Sequence, residues 1–339
     1  AAGFRDVELF APHAAPDPDF PNVPNHVANP ENPRVFDAII QRACQTGAEL
    51  ILATDPDCDR VGCAAPVSTR PGAEWKTMTG NQIGSLLADY LLEEGKKAGT
   101  LTPAHYVVKT LVTTELMRRI ADHYGVETVG DLLVGFKYIG GVIEDRDPDK
   151  FVLGAEESYG FLVGAHARDK DAAVASMLLA EIAARAKADR LSLHEKLDAL
   201  FLRYGCHAEK TVSQRMPGAQ GMDAMKALMA RFRTDPPKSL GGIPVARVRD
   251  YKNNVVTDTA TRHAAPLAGP TGDLVMLDLA AEGNYVAVRP SGTEPQIKFY
   301  MFAYQPPEAI SDLAKTKADL AKRLQAMEAD LLACAERQG

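Results

Sequence analysis

An apolar run, Leu50-Ile51-Leu52, leads directly into Asp55-Pro56-Asp57-Cys58-Asp59-Arg60. Three carboxylates packed at alternate positions repel one another, so the stretch is stable at neutral pH chiefly with a cation among them. A strand that ends in such a loop points to an α/β sheet, whose ligands gather beyond the carboxyl ends of its strands. Residues i, i+2 and i+4 of an extended loop face one side, so Asp55, Asp57 and Asp59 all reach one ion. Oxygen ligands of this kind suit Mg²⁺, which keeps waters or a phosphate in its remaining shell. An EF-hand does not fit, because its sixth position would be Arg60 instead of Gly and its twelfth Pro66 instead of Glu. Arg60 stands beside the ion and is suited to hold a phosphate oxygen. The competing reading is a solvated acidic turn.

Around this loop the chain has an α/β rhythm. Residues 1–7 read as a helix end entering a strand, and 12–33, rich in Pro, Asp and Asn, as an irregular loop. Val35, Phe36, Ile39, Ile40 and Ala43 lie on one face of a helix over 33–46 that Gly47 stops, followed by a strand over 48–54. This β-α-β pattern predicts an α/β domain over 1–72. A second α/β domain, 73–203, has helices at 81–92, 114–124 and 171–187 and strands at 106–109, 126–129 and 151–153. Beyond it, 204–339 has a helix at 222–232, strands near 245–248, 274–277, 285–288 and 297–302, and a helix over 307–332, a smaller α+β domain.

Three further motifs carry chemistry. Glu156 and Ser158, in Gly154-Ala155-Glu156-Glu157-Ser158-Tyr159-Gly160, suit hydrogen bonding to vicinal sugar hydroxyls, or else form a polar turn. Lys137 lies between aromatic residues inside paired glycines, Gly135-Phe136-Lys137-Tyr138-Ile139-Gly140-Gly141, a setting for proton transfer or anion binding. A snorkelling surface lysine is the alternative there, and Lys109 at its strand end is a weaker case of the same kind. Arg289-Pro290-Ser291-Gly292-Thr293-Glu294-Pro295 combines a guanidinium fork, hydroxyls and exposed N–H groups into a phosphate nest, or else a Pro/Gly hairpin.

Composition narrows the partners. A net charge of −7 argues against a nucleic-acid binder, so any anionic ligand is met by locally gathered Arg and Lys. Cys44, Cys58, Cys63, Cys206 and Cys334 are odd in number, dispersed and without a Cys-x-x-Cys pair, which predicts free thiols and a reducing, cytoplasmic setting. No apolar stretch is long enough for a membrane span, and no signal peptide is evident. None of the eight histidines pairs at metal-ligand spacing.

Taken in order, Asp-Pro-Asp-x-Asp-Arg, Glu-Glu-Ser-Tyr-Gly and Arg-Pro-Ser-Gly-Thr-Glu-Pro make the chain resemble the α-D-phosphohexomutases, the phosphoglucomutases and phosphomannomutases, over domains two to four. The resemblance implies that Asp55, Asp57 and Asp59 bind Mg²⁺ and that Arg60 lies near a phosphoserine. It also implies that Glu156 and Ser158 contact sugar hydroxyls and that Arg289, Ser291, Gly292 and Thr293 hold the non-reacting phosphate. Lys170, in Arg168-Asp169-Lys170-Asp171, matches a family general base, and Lys137 and Lys109 match basic positions facing the active-site cleft. These runs favour glucose over mannose phosphate, with glucose 1,6-bisphosphate as intermediate. The chain departs from the family in having no Thr-Ala-Ser-His-Asn-Pro-like loop for the phosphoserine. On this resemblance it is a fragment without the first domain, expected to be inactive alone. Two other readings stay open: a haloacid-dehalogenase-like phosphatase with Asp55 as nucleophile, and a non-catalytic phosphosugar-binding protein.

Overall fold

The computed structural model describes residues 3–291 and 295–336. Two compact units emerge, Ala1–Thr113 with Met117–Gly130 and Val134–Leu200, and Phe201–Gly339 with Thr114–Leu116 and Asp131–Leu133.

In the first unit, residues 4–10 are neither helix nor strand, so the strand expected near Val7 does not form. Phe4, Val7 and Leu9 are exposed, and a strand there would have no buried face to hold it. A short helix, α1 (Ala11–Ala14), and a 3₁₀ turn at Pro24–His26 punctuate the irregular segment that follows. A second 3₁₀ turn, Pro33–Phe36, starts where the Asn32 side chain accepts the Arg34 N–H, and it runs into α2 (Asp37–Thr46). Gly47, at φ +74°, ends that helix as expected. Val35, Phe36 and Ala43 pack with Ile51 and Ala64 into a small core edged by Ile39, Ile40 and Trp75.

That core rests on an antiparallel sheet of order β1-β2-β3, with β1 (Ile51–Thr54), β2 (Val61–Pro66) and β3 (Trp75–Met78). The β-α-β unit expected over 1–72 does not form, because its first strand is absent and β1 pairs antiparallel with β2. Thr54 pairs with Val61, so the acidic loop is a hairpin turn. A parallel crossover needs a dozen or more residues, and this connection is far shorter.

A second sheet follows, built from α3 (Gly80–Lys97), β4 (Tyr106–Lys109), α4 (Leu116–Tyr124), β5 (Glu127–Val129), α5 (Phe136–Asp145), β6 (Phe151–Ala155), β7 (Phe161–Val163), α6 (Ala172–Ala188) and α7 (Leu193–Tyr204). Its order is β5-β4-β6-β7, parallel except for the β6–β7 hairpin. Thr79 and Gln82 close a capping box on α3, and α3 packs on α6 and β6. The Thr114 hydroxyl accepts the Leu116 N–H at 3.1 Å and caps α4. Asp171 caps α6 through the Val174 N–H at 3.0 Å. The glycine-flanked stretch around Lys137 forms α5. Gly140 serves close packing there, since a Cβ would stand 2.8 Å from the Arg168 carbonyl.

The second unit is antiparallel, with β8 (Cys206–Arg215), α8 (Gly218–Thr234), β9 (Ser239–Leu240), β10 (Ile243–Asp250), β11 (Val255–Asp258), β12 (Ala264–Pro266), β13 (Val275–Leu279), β14 (Tyr285–Pro290), β15 (Gln296–Gln305) and α9 (Leu313–Glu336). The order is β12-β11-β10-β13-β14-β15-β8, with β9 against β10. Helix α8 lies on β10, β13 and β14, and α9 on β8 and β15. The helix expected over 307–332 is broken, because Asp312 accepts the Lys315 N–H and starts α9 afresh after a 3₁₀ turn. The α/β class holds: two mixed α/β layers and then an α+β region. Among the described residues no helix is long and apolar enough to cross a membrane.

Candidate functional site

The turn between β1 and β2 is closed by the Cys58 N–H, which donates to the Asp55 carbonyl at 3.1 Å, with Cys58 itself at φ +58°. The loop is therefore curved, not extended as the alternate spacing predicted. Curvature still brings the carboxylates together: one oxygen from each of Asp55, Asp57 and Asp59 lies within 4.8 Å of the other two. Asp55 is buried, Asp59 half-buried and Asp57 exposed.

Asp55 is the anchored member. Its Oδ1 accepts the backbone N–H groups of Asp59 (3.1 Å) and Arg60 (3.0 Å), and its Oδ2 accepts Arg60 Nε at 2.7 Å. Burial pushes its carboxyl up, but the bonds from Arg60 and Asp59 outweigh that and hold it below the ordinary value. Asp59 is pushed above its ordinary value by burial and by Asp55, against the pull of Lys170. A proton arriving at this loop therefore goes to Asp59 before Asp55. Mutual repulsion of this sort is relieved by a divalent cation, and the donor set, all carboxylate oxygen, fits Mg²⁺. Asp55, Asp57 and Asp59 would be its protein ligands.

The 156–160 turn is stitched to this hairpin. The Val61 N–H donates to the Tyr159 carbonyl at 3.1 Å, Arg60 and Gly160 form an antiparallel bridge, and the Ala172 N–H reaches the Cys58 carbonyl at 3.0 Å. Tyr159 sits at φ +68°, and burial, with Glu31 and Cys63 nearby, pushes its hydroxyl up to about 12. The start of α6 delivers Lys170, whose Nζ lies 2.8 Å from both Asp59 Oδ2 and Asp169 Oδ1. Its stem runs over Gly160, where a Cβ would collide with Lys170 Cδ, and Nζ stands 5.4 Å from the Phe136 ring centroid. Burial works to lower the Lys170 ammonium, but Asp169 and Asp59 outweigh it, so the group rests above its ordinary value and protonated.

Glu156 is buried, and its Oε1 accepts the Gly135 N–H at the start of α5 (2.8 Å). Ser158 is half-buried on the same turn, and Lys137 is exposed in the first turn of α5, with Nζ 5.0 Å from the Tyr138 ring centroid. Lys109 is corrected. It is completely buried, its ammonium donating to the carbonyls of Thr110 (3.2 Å) and Thr113 (2.9 Å), so it braces the end of β4 instead of facing a cleft.

In the second unit, Arg289 lies within β14 opposite Lys298 of β15, so the two basic side chains share a sheet face. Ser291 follows the strand, and its N–H closes on the Gln296 carbonyl at 2.8 Å. Gly292 and Thr293 lie outside the described residues.

Sequence reasoning missed Glu31 and Asn29, whose oxygens take Arg60 Nη1 at 2.7 and 3.3 Å. Their only local signal is an Asx turn, Asn29 Oδ1 accepting the Glu31 N–H at 3.0 Å. Lys298 was also missed, because strand register alone places it beside Arg289.

Two family models match the chain: phosphoglucomutase/phosphomannomutase alpha/beta/alpha domain II over residues 1–67, and domain III over residues 79–204. The phosphoglucomutase of Staphylococcus haemolyticus is 36% identical over 303 residues, covering 88% of this chain and 52% of the relative. That of Staphylococcus aureus is 32% identical over 299 residues, covering 88% and 52%. The chain thus spans about half the length of the curated relatives it matches. The fold is also that of two solved structures. Parafusin, a phosphoglucomutase from Paramecium in its open form, superposes with a TM-score of 0.56 at 16% identity, over 85% of this chain and 46% of that one. A phosphoglucomutase/phosphomannomutase family protein from Burkholderia thailandensis gives 0.54 at 17% identity, over 90% and 52%. The domain matches together take in more than half of the residues, and the chain belongs to the phosphoglucomutase/phosphomannomutase family, the α-D-phosphohexomutases.

Proposed function

We propose that this chain carries the metal, sugar and phosphate loops of a phosphosugar mutase that moves a phosphoryl group between C1 and C6 of a hexose. Glucose phosphate is the favoured substrate and mannose phosphate the next. The observation that carries the reading is the convergence of Asp55, Asp57 and Asp59 with Arg60 and Lys170 on one hairpin turn. In this proposal the three aspartates hold Mg²⁺, which neutralises charge on the phosphoryl group in transit. Arg60 orients the loop and faces the phosphoryl group. Lys170, held protonated by Asp59 and Asp169, neutralises charge beside the phosphoryl group, and it acts as general base toward the attacking sugar hydroxyl only from its neutral amine form, after giving its own proton to solvent.

Glu156 and Ser158 present acceptors to the sugar hydroxyls, Lys137 adds positive charge, and Arg289 and Ser291, with Gly292 and Thr293, hold the non-reacting phosphate. The corresponding division is 1–72, 73–203 and 204–339. The phosphoryl carrier is a phosphoserine that no motif in these 339 residues supplies, with glucose 1,6-bisphosphate as the intermediate. The chain by itself is therefore not competent for turnover. A phosphatase with Asp55 as nucleophile is disfavoured, because that carboxylate is buried and both its oxygens already accept hydrogen bonds.

Titration of the 339-residue chain with Mn²⁺ in place of Mg²⁺, with and without glucose 6-phosphate, tests the proposal. Binding lost in Asp57→Ala supports it, and unchanged binding in that variant removes the metal assignment. Interconversion of glucose 1- and 6-phosphate by the chain alone would overturn the phosphoserine requirement.

A further inference from the structure

The irregular segment before α2 is anchored to the acidic hairpin around Pro30. Pro30 is buried, and Gly62 of β2 approaches it so closely that a Cβ on Gly62 would stand 2.7 Å from the Pro30 carbonyl and 2.9 Å from the Phe36 ring. Only a residue without a side chain admits that contact. Pro30 thereby fixes its neighbours Asn29 and Glu31 beside Arg60, two residues before Gly62 in the chain. Asn29 Oδ1 accepts the Glu31 N–H at 3.0 Å and Arg60 Nη1 at 3.3 Å, while Glu31 Oε1 takes Nη1 at 2.7 Å. The guanidinium is thus stretched between two carboxylates, Glu31 through Nη1 and Asp55 through Nε, with Asp59 Oδ1 3.6 Å from Nε.

We propose that Glu31, set in place by Asn29 and the Pro30–Gly62 contact, is a positioning residue for the metal loop. It holds the Nη1 end of the Arg60 guanidinium on a carboxylate that is not a ligand, so that only Nε is left to reach the ligand oxygens of Asp55 and Asp59. The inference rests on the assignment of Asp55, Asp57 and Asp59 as the cation ligands. Arg60 and a divalent cation are like charges competing for the same oxygens. A guanidinium with no other anion to bind settles on those oxygens and raises the cost of cation entry. An anion placed on its far end divides its charge and leaves the ligand lone pairs available. Partners one shell out from a metal act in this way on affinity, commonly by one to two orders of magnitude.

The test is a double-mutant cycle on the 339-residue chain, read as Mn²⁺ affinity by electron paramagnetic resonance, with thermal melting to confirm folding. Glu31→Gln is expected to weaken binding about tenfold, and Glu31→Asp, which keeps the charge, to restore part of the loss. In an Arg60→Gln background the same Glu31→Gln change is expected to have no effect, because the group it restrains is gone. Equal weakening in both backgrounds, or none in the first, overturns the proposal. Asp57→Ala serves as the separate control. Full Mn²⁺ binding in that variant removes the cation assignment and this inference with it, whereas loss there together with a flat cycle sinks the inference alone.

Discussion

Lys170 Nζ lies 2.8 Å from Asp59 Oδ2, so the lysine of the α6 entry loop occupies a carboxylate oxygen of the candidate metal cluster. Both side chains are mostly shielded, 16% and 27% exposed, so water screens the pair only in part. The ammonium and a divalent cation therefore draw on the same charge.

Replacing Lys170 with Met, which keeps the stem over Gly160 and deletes the charge, is expected to tighten Mn²⁺ binding about fivefold. That corresponds to about 1 kcal/mol for a partly exposed ion pair. Calorimetric titration decides the matter: affinity that is unchanged or lower means that lysine and cation do not share Asp59.

A contact at the base of the 156–160 turn makes a second expectation. Gly80 opens α3 directly under that turn, where a Cβ would collide with the Glu157 carbonyl oxygen and stand 2.8 Å from the Tyr159 nitrogen. Gly80→Ala is expected to cost about 1–3 kcal/mol, as overpacking against fixed backbone does. It should also weaken Mn²⁺ binding, because Tyr159 is tied to the acidic hairpin through the Val61 N–H. Gly99→Ala is the matched control. It places Ala at φ +69° with nothing within 4 Å, so it lowers the melting temperature without touching the loop. If the two variants bind Mn²⁺ alike, the turn and the hairpin are not mechanically coupled.

The parts of this site that were legible in the sequence are those whose physics is local. Three aspartates at alternate positions repel one another in any fold, so the clustering of their carboxylates is readable from residues 55–59 alone. What the loop joins was not readable. Its partner strand, Val61-Gly62-Cys63-Ala64-Ala65-Pro66, is short and built from small residues, and it carries no alternation to distinguish a hairpin from a crossover. Helix α5 was hidden for a related reason. Gly140 suggests a loop, yet it is there because the Arg168 carbonyl passes too close for a side chain. Lys109 looked like a ligand-facing cation at a strand end, and only the folded backbone of Thr110 and Thr113 shows that its ammonium has carbonyl acceptors inside the protein. Glu31 was invisible because its partner Arg60 is distant in sequence, and a charge in a Pro- and Asn-rich segment reads as solvated.

Acid sensitivity of the second unit makes the last expectation. Asp250, at the end of β10, is buried, and its carboxylate accepts from Arg233 Nε at 2.9 Å, Asn253 Nδ2 at 2.5 Å and the Lys252 N–H at 3.0 Å. Arg233 also pairs with Asp273, which fixes its guanidinium in place. Burial pushes the Asp250 carboxyl up, but Arg233, Asn253 and Lys252 together outweigh it and hold the group below its ordinary value. A depressed carboxyl stabilises the fold above the unfolded value, about pH 4, and that contribution drains away as pH falls through the lower folded value. Asp250→Asn is therefore expected to be less stable than the parent at pH 7 by about 2 kcal/mol, the scale of a hydrogen bond to a charged group. The difference should shrink steadily from pH 5 to pH 2, where the parent carboxyl takes up its proton. Urea unfolding followed by circular dichroism across that range measures it, and two stability curves that stay parallel down to pH 2 would show that Asp250 is not the acid-sensitive contact.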